Sequence, residues 1–384
     1  MNRVFAATGT SIFARMSALA AEHNAVNLGQ GYPDFGWPDD VLEAAADAIR
    51  NGSNQYAPMR GLPELREAVA AHYGAHQGLD VYAEDVTVTS GATEAIAAAL
   101  LSLVSPGDEV VLFQPLYDSY LPIVRAAGGV PRLVSLTPPD WRITEEALGE
   151  VFTERTRVVV FNNPHNPSSR MFTEEEIALV ARFCVAHDAI AVADEVWEHV
   201  VLAGRRHLPL SAMPGMAERT IKIGSAGKIF SVTGWKVGWA IAPGALTAAF
   251  AGAHQYLTFS TAPNLQRAVA YGLGKDISYF EEMRAAFTAA RDRLASGLEQ
   301  AGFAVLPAEG SYFLSIDLAA SGVAATDAEF CDHAVRECGV AAIPVGAFYE
   351  QDPVTSVVRL CFAKREETLA KGIEGLSRAR MRYQ

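Results

Sequence analysis

Several things are scarce in this chain, and each scarcity argues against a class of protein. Of 384 residues only four are cysteine (Cys184, Cys331, Cys338 and Cys361); they lie far apart and form no CxxC pair. That argues against a disulfide scaffold or a cysteine-built zinc site and points to reduced thiols in a cytoplasmic protein. Long apolar runs are missing too. The longest, Ala95–Val104, is about half of the ~18 residues that a transmembrane helix needs, so no membrane span is expected. Basic residues are the minority, 31 against 44 acidic ones, for a net charge of −13. A broad nucleic-acid or anionic-membrane surface demands a basic face, so neither partner is expected. A small anion held by a few placed donors is still compatible with that balance. No Gly-x-Gly-x-x-Gly follows an early strand and no Gly-x4-Gly-Lys-Ser/Thr spacing occurs, which argues against nicotinamide and P-loop nucleotide sites. Low-complexity tracts and solenoid repeats are absent. Arg3 and Arg15 precede the first acid, Glu22, as in a transit peptide, but Ser11–Ala21 reads as an ordinary amphipathic helix. His72 and His76 stand one helical turn apart; a solvated helix face is expected there, and no metal.

What is present is ample apolar material, half of the residues, enough for about two domains at roughly 100–200 residues each. Short β-branched runs alternate with Ala-rich helical patterns. Strands are expected at Val86–Thr89, Glu109–Phe113, Val130–Leu136, Val158–Phe161, Ala189–Ala193, Thr220–Ile223 and Val237–Ile241. Helices are expected at Thr93–Val104, Ser119–Ala127, Glu174–Ala186 and Leu246–Tyr256. The runs Val158–Phe161 and Ile190–Ala193 are continuously apolar, as strands covered on both faces are. The expected fold is therefore α/β: a mainly parallel seven-stranded sheet with helices on both faces. From about Ile277 the pattern becomes that of a smaller α+β unit: a charged helix Tyr279–Ala301, strands Phe303–Leu306 and Tyr312–Asp317, a helix Ala325–Cys338, a strand Val357–Phe362 and a last helix Glu366–Arg378. The first forty residues should join it. The expected division is 41–280 for the large domain, and 1–40 with 281–384 for the small one.

Ligands of open α/β sheets sit beyond the carboxyl ends of the strands, so the residues that follow each strand carry the information. After Val86–Thr89 comes Ser90-Gly91-Ala92-Thr93-Glu94, opening a helix whose free N–H groups could cradle a phosphate. After Val158–Phe161 two prolines bracket His165-Asn166, which would aim an amide rigidly. After Ala189–Ala193 comes Asp194-Glu195. A carboxylate there is costly unless paired, by a salt bridge, a cap or a cationic ligand atom. After Thr220–Ile223, small residues surround Lys228, with Thr233-Gly234 and a second lysine, Lys236, beyond. A lysine among small residues in a desolvated site has a lowered pKa and can form a Schiff base with an aldehyde. Arg359 lies inside an apolar strand and calls for a carboxylate partner, from the protein or from a substrate.

Taken together, Ser225-x-x-Lys228 with Thr233-Gly234-Trp235-Lys236-x-Gly238, Asn163-Pro164-x-Asn166-Pro167, Asp194-Glu195-Val196 and Arg359 resemble the class I/II aminotransferases, pyridoxal-phosphate enzymes of fold type I. The likeness runs from Asn27 to the last helix. The stretches Asn27–Phe35 and Gly224–Lys228 most resemble the kynurenine, glutamine and methionine aminotransferase branch, and bacterial N-succinyldiaminopimelate aminotransferases look similar. The resemblance implies that Lys228 holds pyridoxal 5'-phosphate as a Schiff base and shuttles a proton. It implies that Asp194 pairs with the pyridine nitrogen, that Asn166 contacts the phenolic oxygen, and that Tyr117 stacks on the ring. Gly91 and Ala92, with Thr93 beside them, Ser225 and Lys236 match the phosphate site. Arg359 and the backbone of Gly31 match the α-carboxylate site, and Phe13 and Phe259 match side-chain pocket positions. Tyr56 matches a tyrosine that reaches the partner subunit's phosphate, which implies a homodimer with a shared active site.

The sequence departs from the family pattern at Trp197, where a tyrosine that donates to the phenolic oxygen is usual. Indole is donor-only and larger; losing that bond is expected to raise the pKa of the Schiff base. Lys236, where many members carry arginine, keeps the charge but loses the bidentate fork. The implied reaction is ping-pong transamination between an amino acid and a 2-oxo acid. The donor is expected to be neutral and large, of the methionine, glutamine, kynurenine or aromatic type, because Gln255–Pro263 holds aromatics and no arginine. Alternatives on the same scaffold are a cysteine-conjugate β-lyase and an N-succinyldiaminopimelate aminotransferase. A pyridoxal-phosphate-binding transcription regulator is disfavoured by the acidic charge.

Overall fold

The computed structural model describes residues 3–7, 9–202 and 204–383. Its strands are β1 (Val26–Asn27), β2 (Val86–Thr89), β3 (Glu109–Gln114), β4 (Val130–Ser135), β5 (Thr156–Asn162), β6 (Ile190–Asp194), β7 (Thr220–Ser225), β8 (Gly238–Ile241), β9 (Ala304–Val305), β10 (Phe313–Asp317), β11 (Val340–Ala341), β12 (Ile343–Pro344) and β13 (Val357–Cys361). Seven of them form one sheet in the order β2-β8-β7-β6-β5-β3-β4. All its pairs are parallel except those of β8, which runs antiparallel to both neighbours. Every residue of β2, β3, β7 and β8 is buried, which means that both faces of the sheet are covered. The mainly parallel α/β sheet expected from the apolar runs is what forms.

Register then decides what meets at the sheet's mouth. Asn162 pairs with Asp194 across β5 and β6. Gly238 pairs with both Thr89 and Ser225, since β8 lies between β2 and β7. The loops that follow β2 and β7 and the one that precedes β8 are therefore side by side. Helix Ala92–Leu103 starts directly after β2, and its buried face (Ala95, Ile96, Ala98, Ala99, Leu100) is small enough to lie close on the sheet.

The C-terminal residues build a four-stranded antiparallel sheet, β12-β13-β10-β9, next to the 24-residue helix Ile277–Gln300. The N-terminal connector is tied to it. β1 pairs with β11, and Cys361 N donates to Leu28 O at 2.7 Å. β11 and β12 have two residues each, too few for a pattern to reveal, and the strand expected at Phe303–Leu306 shrinks to β9.

One surface expectation is overturned. His72 is buried, 3% exposed, rather than solvated. The inward face of helix Pro63–Gln77 is Leu65, Val69, His72 and Tyr73, and His72 Nε2 lies 2.8 Å from His199 Nε2. Burial, then the neighbouring His76, push its pKa down to about 4. The unfolded chain therefore binds a proton below about pH 6.5 that the folded one refuses. His72's contribution to stability is complete above that pH and is lost as pH falls toward 4. Urea unfolding at pH 5 should show about 2 kcal/mol less stability from this group than at pH 7.5. His72→Phe, which cannot take up a proton, should flatten that part of the profile.

Candidate active site

The cavity at the mouth of the large sheet collects the residues that end its strands. Lys228 follows β7 in the short helix Ala226–Ile229. The surrounding protein strips water from its amine and pushes the pKa down to about 8, although Cys361 and Asp194 oppose that. Asp194, last residue of β6, is buried. Tyr120 donates to its Oδ2, while its backbone carbonyl accepts from Asn162 Nδ2 at 2.8 Å. Among the described residues no Lys or Arg forms an ion pair with it, and burial raises its pKa. This carboxylate is thus desolvated and short of a cation.

Gly91, Ala92, Thr93, Ser225 and Lys236 all line the same cavity. Gly91 has φ +77, a left-handed conformation, and a Cβ there would lie 3.2 Å from Lys236 Nζ. Glycine is needed both for the turn and for the lysine's approach. Tyr117 and Tyr120, three residues apart in the turn that opens helix Tyr120–Ala126, meet edge to face at 5.7 Å, and both reach the cavity. Asn162 Oδ1 accepts from the backbone N–H of Asn166 at 2.8 Å and so fixes the loop that carries Asn166.

Arg359, on β13, is fully buried. Its Nη1 donates to Asn166 Oδ1 at 2.7 Å and its Nη2 to Gly29 O at 3.1 Å, while Nε is buried without a partner. Its guanidinium carbon lies 3.8 Å from the ring centre of Phe313 and 5.2 Å from that of Phe13. Burial lowers its pKa to about 10. No carboxylate among the described residues pairs with it, so the partner asked for from sequence is not a protein side chain. Gly31 stays glycine because a Cβ would collide with Phe313 at 2.6 Å, and its carbonyl accepts from Tyr312.

Asp194 and Glu195 part company, as successive residues at a strand end do. Glu195 turns away from the cavity to Lys222 and His207. Burial would raise its pKa, but Lys222 and His207 outweigh that and bring it to about 2. Glu195, Glu198 and His207 have ligating atoms within 4.8 Å of one another. Lys222 Nζ, which donates to both glutamates, already supplies the cation there.

Of the residues expected from sequence, Gly31, Phe13 and Arg359 do not line the cavity itself, Arg359 reaching it through Asn166, and Tyr56 and Phe259 lie apart on the surface. Tyr56 is 85% exposed and Phe259 43% exposed, and they pack edge to face on each other at 5.8 Å. The segment Gln255–Pro263, expected beside the side-chain pocket, puts Tyr256 and Leu257 in solvent as well. Conversely, Tyr120 and Asn162 line the cavity and Tyr312 bonds Lys228, beyond the residues expected from sequence. The i, i+3 spacing of Tyr117 and Tyr120, and the i, i+4 spacing of Asn162 and Asn166, were the available signals.

A half-buried amine at a strand mouth, near a desolvated carboxylate and flanked by a glycine–lysine cradle, suits an anionic aldehyde cofactor with a cationic ring atom. Residues 23–376 match the family aminotransferase class I and II, and the chain belongs to that family. Methionine aminotransferase of Escherichia coli is 40% identical over 372 residues, covering 96% of this chain and 95% of its own. Kynurenine–oxoglutarate transaminase 1 of Homo sapiens is 36% identical over 385 residues, covering 91% of each. The solved N-succinyldiaminopimelate aminotransferase of Mycobacterium tuberculosis superposes with a TM-score of 0.96 at 44% identity, covering 99% of this chain and 100% of that one. The protein is a pyridoxal-phosphate-dependent aminotransferase. Its own geometry fits that cofactor: buried Asp194 has no ion-pair partner among the described residues, Gly91 leaves room beside Lys236, and Lys228 is held with a lowered pKa.

Proposed function

We propose that the enzyme transfers the amine of a large neutral amino acid, of the methionine, glutamine, kynurenine or aromatic type, to a 2-oxo acid by a ping-pong reaction. The observation that carries this is Arg359: a buried guanidinium with no ion-paired carboxylate among the described residues, beside apolar rings and hydrogen-bonded to Asn166, which lines the same cavity as Lys228. Bound pyridoxal phosphate supplies the electron sink that makes the substrate's Cα–H bond breakable. Lys228 is the residue that anchors it, then takes and returns that proton at Nζ. Asp194, fixed by Tyr120, would pair with the cofactor's ring nitrogen and keep it protonated. Gly91, Ala92, Thr93, Ser225 and Lys236 would hold the phosphate, and Tyr117 would pack against the ring. Asn166, which accepts from Arg359, would also contact the phenolic oxygen. Arg359 and Gly31 take the α-carboxylate, with Phe13 in the side-chain pocket.

Tyr56 and Phe259 act from a partner subunit, in a homodimer. Their solvent-exposed pair, continuous with exposed Tyr256 and Leu257, suits an interface. We assign 41–280 to the cofactor-binding domain, and 1–40 with 281–384 to the small one. No helix among the described residues is long and apolar enough to cross a membrane. The four free, buried cysteines suit the cytoplasm. N-succinyldiaminopimelate is the second reading, favoured by the relative from Mycobacterium tuberculosis. It asks for cations toward the distal carboxylates, whereas the cavity's lysines, Lys228 and Lys236, are engaged at the cofactor.

The test is a visible spectrum of the purified protein followed by half-reactions with an amino-acid panel. Bleaching by methionine or an aromatic donor supports the first reading; bleaching by N-succinyldiaminopimelate alone supports the second. No chromophore after added pyridoxal phosphate would refute both. Trp197 gives a further expectation. Trp197→Tyr should lower the pH midpoint of the visible absorbance by about one unit, by restoring a hydroxyl donor to the phenolic oxygen; an unmoved midpoint would remove that role.

A further inference from the structure

The amine of Lys228 is held by a residue that neither the motif nor the family match points to. Lys228 Nζ donates to Tyr312 Oη at 2.9 Å, and Tyr312 gives its own proton to the carbonyl of Gly31. With its proton committed there, the phenol presents a lone pair to the lysine. Tyr312 is fully buried and packed on three sides, by Trp197 at 4.3 Å, Phe313 at 5.2 Å and Phe287 at 6.1 Å between ring centres. Its hydroxyl has little freedom to point elsewhere. Lys228 Nζ also lies 4.5 Å from the centre of the Trp197 ring. That π-face attracts a cation without giving it a direction, and indole nitrogen has no lone pair to accept with. Tryptophan provides the seat and the phenol provides the direction.

We propose that Tyr312 is a positioning residue for Lys228, its hydroxyl holding the amine at the mouth of β7 whenever that amine is free of the cofactor. The inference rests on the reading of Lys228 as the cofactor-bearing lysine. Tyr312 acts as an acceptor, not as a base: burial holds its pKa well above the ordinary phenol value. The charged and titratable groups around Lys228 come from every neighbouring element: Asp194 ends β6, Lys236 precedes β8, and Arg359 and Cys361 lie on β13. Among the described residues, only the Tyr312 hydroxyl lies within hydrogen-bond distance of Nζ.

An acceptor favours the charged amine, so removing it lowers the pH at which Lys228 becomes a free base. The full-length protein is stripped of cofactor, and the rate of pyridoxal phosphate capture is followed against pH by growth of the visible band. In Tyr312→Phe the midpoint of that profile should move down by about half a unit to one unit. In the reloaded enzyme kcat should fall about tenfold, with KM for the amino acid within about twofold. A merely structural role would lower the thermal midpoint and leave the pH midpoint where it was; a superimposable pH profile overturns the proposal. Should Tyr312→Phe fail to fold, 3-fluorotyrosine at 312 keeps the shape and weakens the acceptor. It must shift the profile the same way, and an unmoved profile overturns the proposal equally. Lys228→Ala separates the two levels. A covalent visible band that survives it removes the underlying reading; a band lost there, with an unmoved profile in Tyr312→Phe, removes only the role of Tyr312.

Discussion

Lys228→Ala is expected to abolish the covalent visible band of the reconstituted protein and to lower kcat/KM by at least about 10⁴-fold. Two losses combine in one residue. The amine is the nucleophile for the aldehyde and the carrier of the substrate's proton, and proton transfer by a placed group alone is worth about 10²–10⁴. Nothing nearby can stand in. Lys236 lies against Gly91 on the cradle side, and Tyr312 is a phenol kept protonated by burial. Lys228→Arg should be as damaging, because guanidinium keeps the charge but is never a free base. The parent has its own pH signature. With a pKa near 8, about a tenth of the amine is free base at pH 7 and half at pH 8. Cofactor capture should therefore accelerate across that interval in the parent and show no covalent phase in either variant. Steady-state kinetics and the absorbance spectrum measure both effects, and turnover retained by Lys228→Ala would end the assignment.

Why that lysine could be picked out from sequence, and Tyr312 could not, follows from where information sits in an open α/β sheet. Strand ends are punctuated by small residues, prolines and charges in otherwise apolar runs, so Lys228, Asp194, Asn166 and the Gly91 turn stand out along the chain. Strand order and register then bring them together, as the parallel Asn162–Asp194 pair and the antiparallel Ser225–Gly238 pair do. Partners supplied from a neighbouring element carry no such mark. Tyr312 reads as one more aromatic just before β10, and Lys222 as one polar residue in a strand. Only the fold discloses that the first reaches Lys228 and the second Glu195. Asp194-Glu195 shows the limit at its sharpest. Two adjacent carboxylates point to opposite sides, and nothing local says which one faces the ligand. The burial of His72 is hidden in the sequence for a related reason. The burial of a helix face depends on what packs against it, and here His199 supplies a nitrogen for the imidazole to pair with.

Arg359→Leu should lower kcat/KM for an amino acid by about 30-fold to about 5,000-fold, the equivalent of about 2–5 kcal/mol for one lost partner of a buried charge pair. The guanidinium spends two of its donors on Asn166 and Gly29 and keeps Nε unpaired in a fully buried setting. Such a charge, without an ion-paired carboxylate among the described residues, is costly unless a ligand answers it. Two controls isolate that explanation. The thermal midpoint of the substrate-free protein should hold or rise in Arg359→Leu, since a buried unpaired cation has been exchanged for an apolar side chain among Phe13, Phe313 and Phe348. A primary amine that has the amino acid's side chain but no carboxylate should react no more slowly with Arg359→Leu than with the parent. Arg359→Lys keeps the charge and loses the fork, and should fall between the two. If the amine and the amino acid lose rate by the same factor, Arg359 is holding Asn166 and β13 in place rather than a substrate carboxylate, and the proposed orientation of the donor in this cavity has to be abandoned.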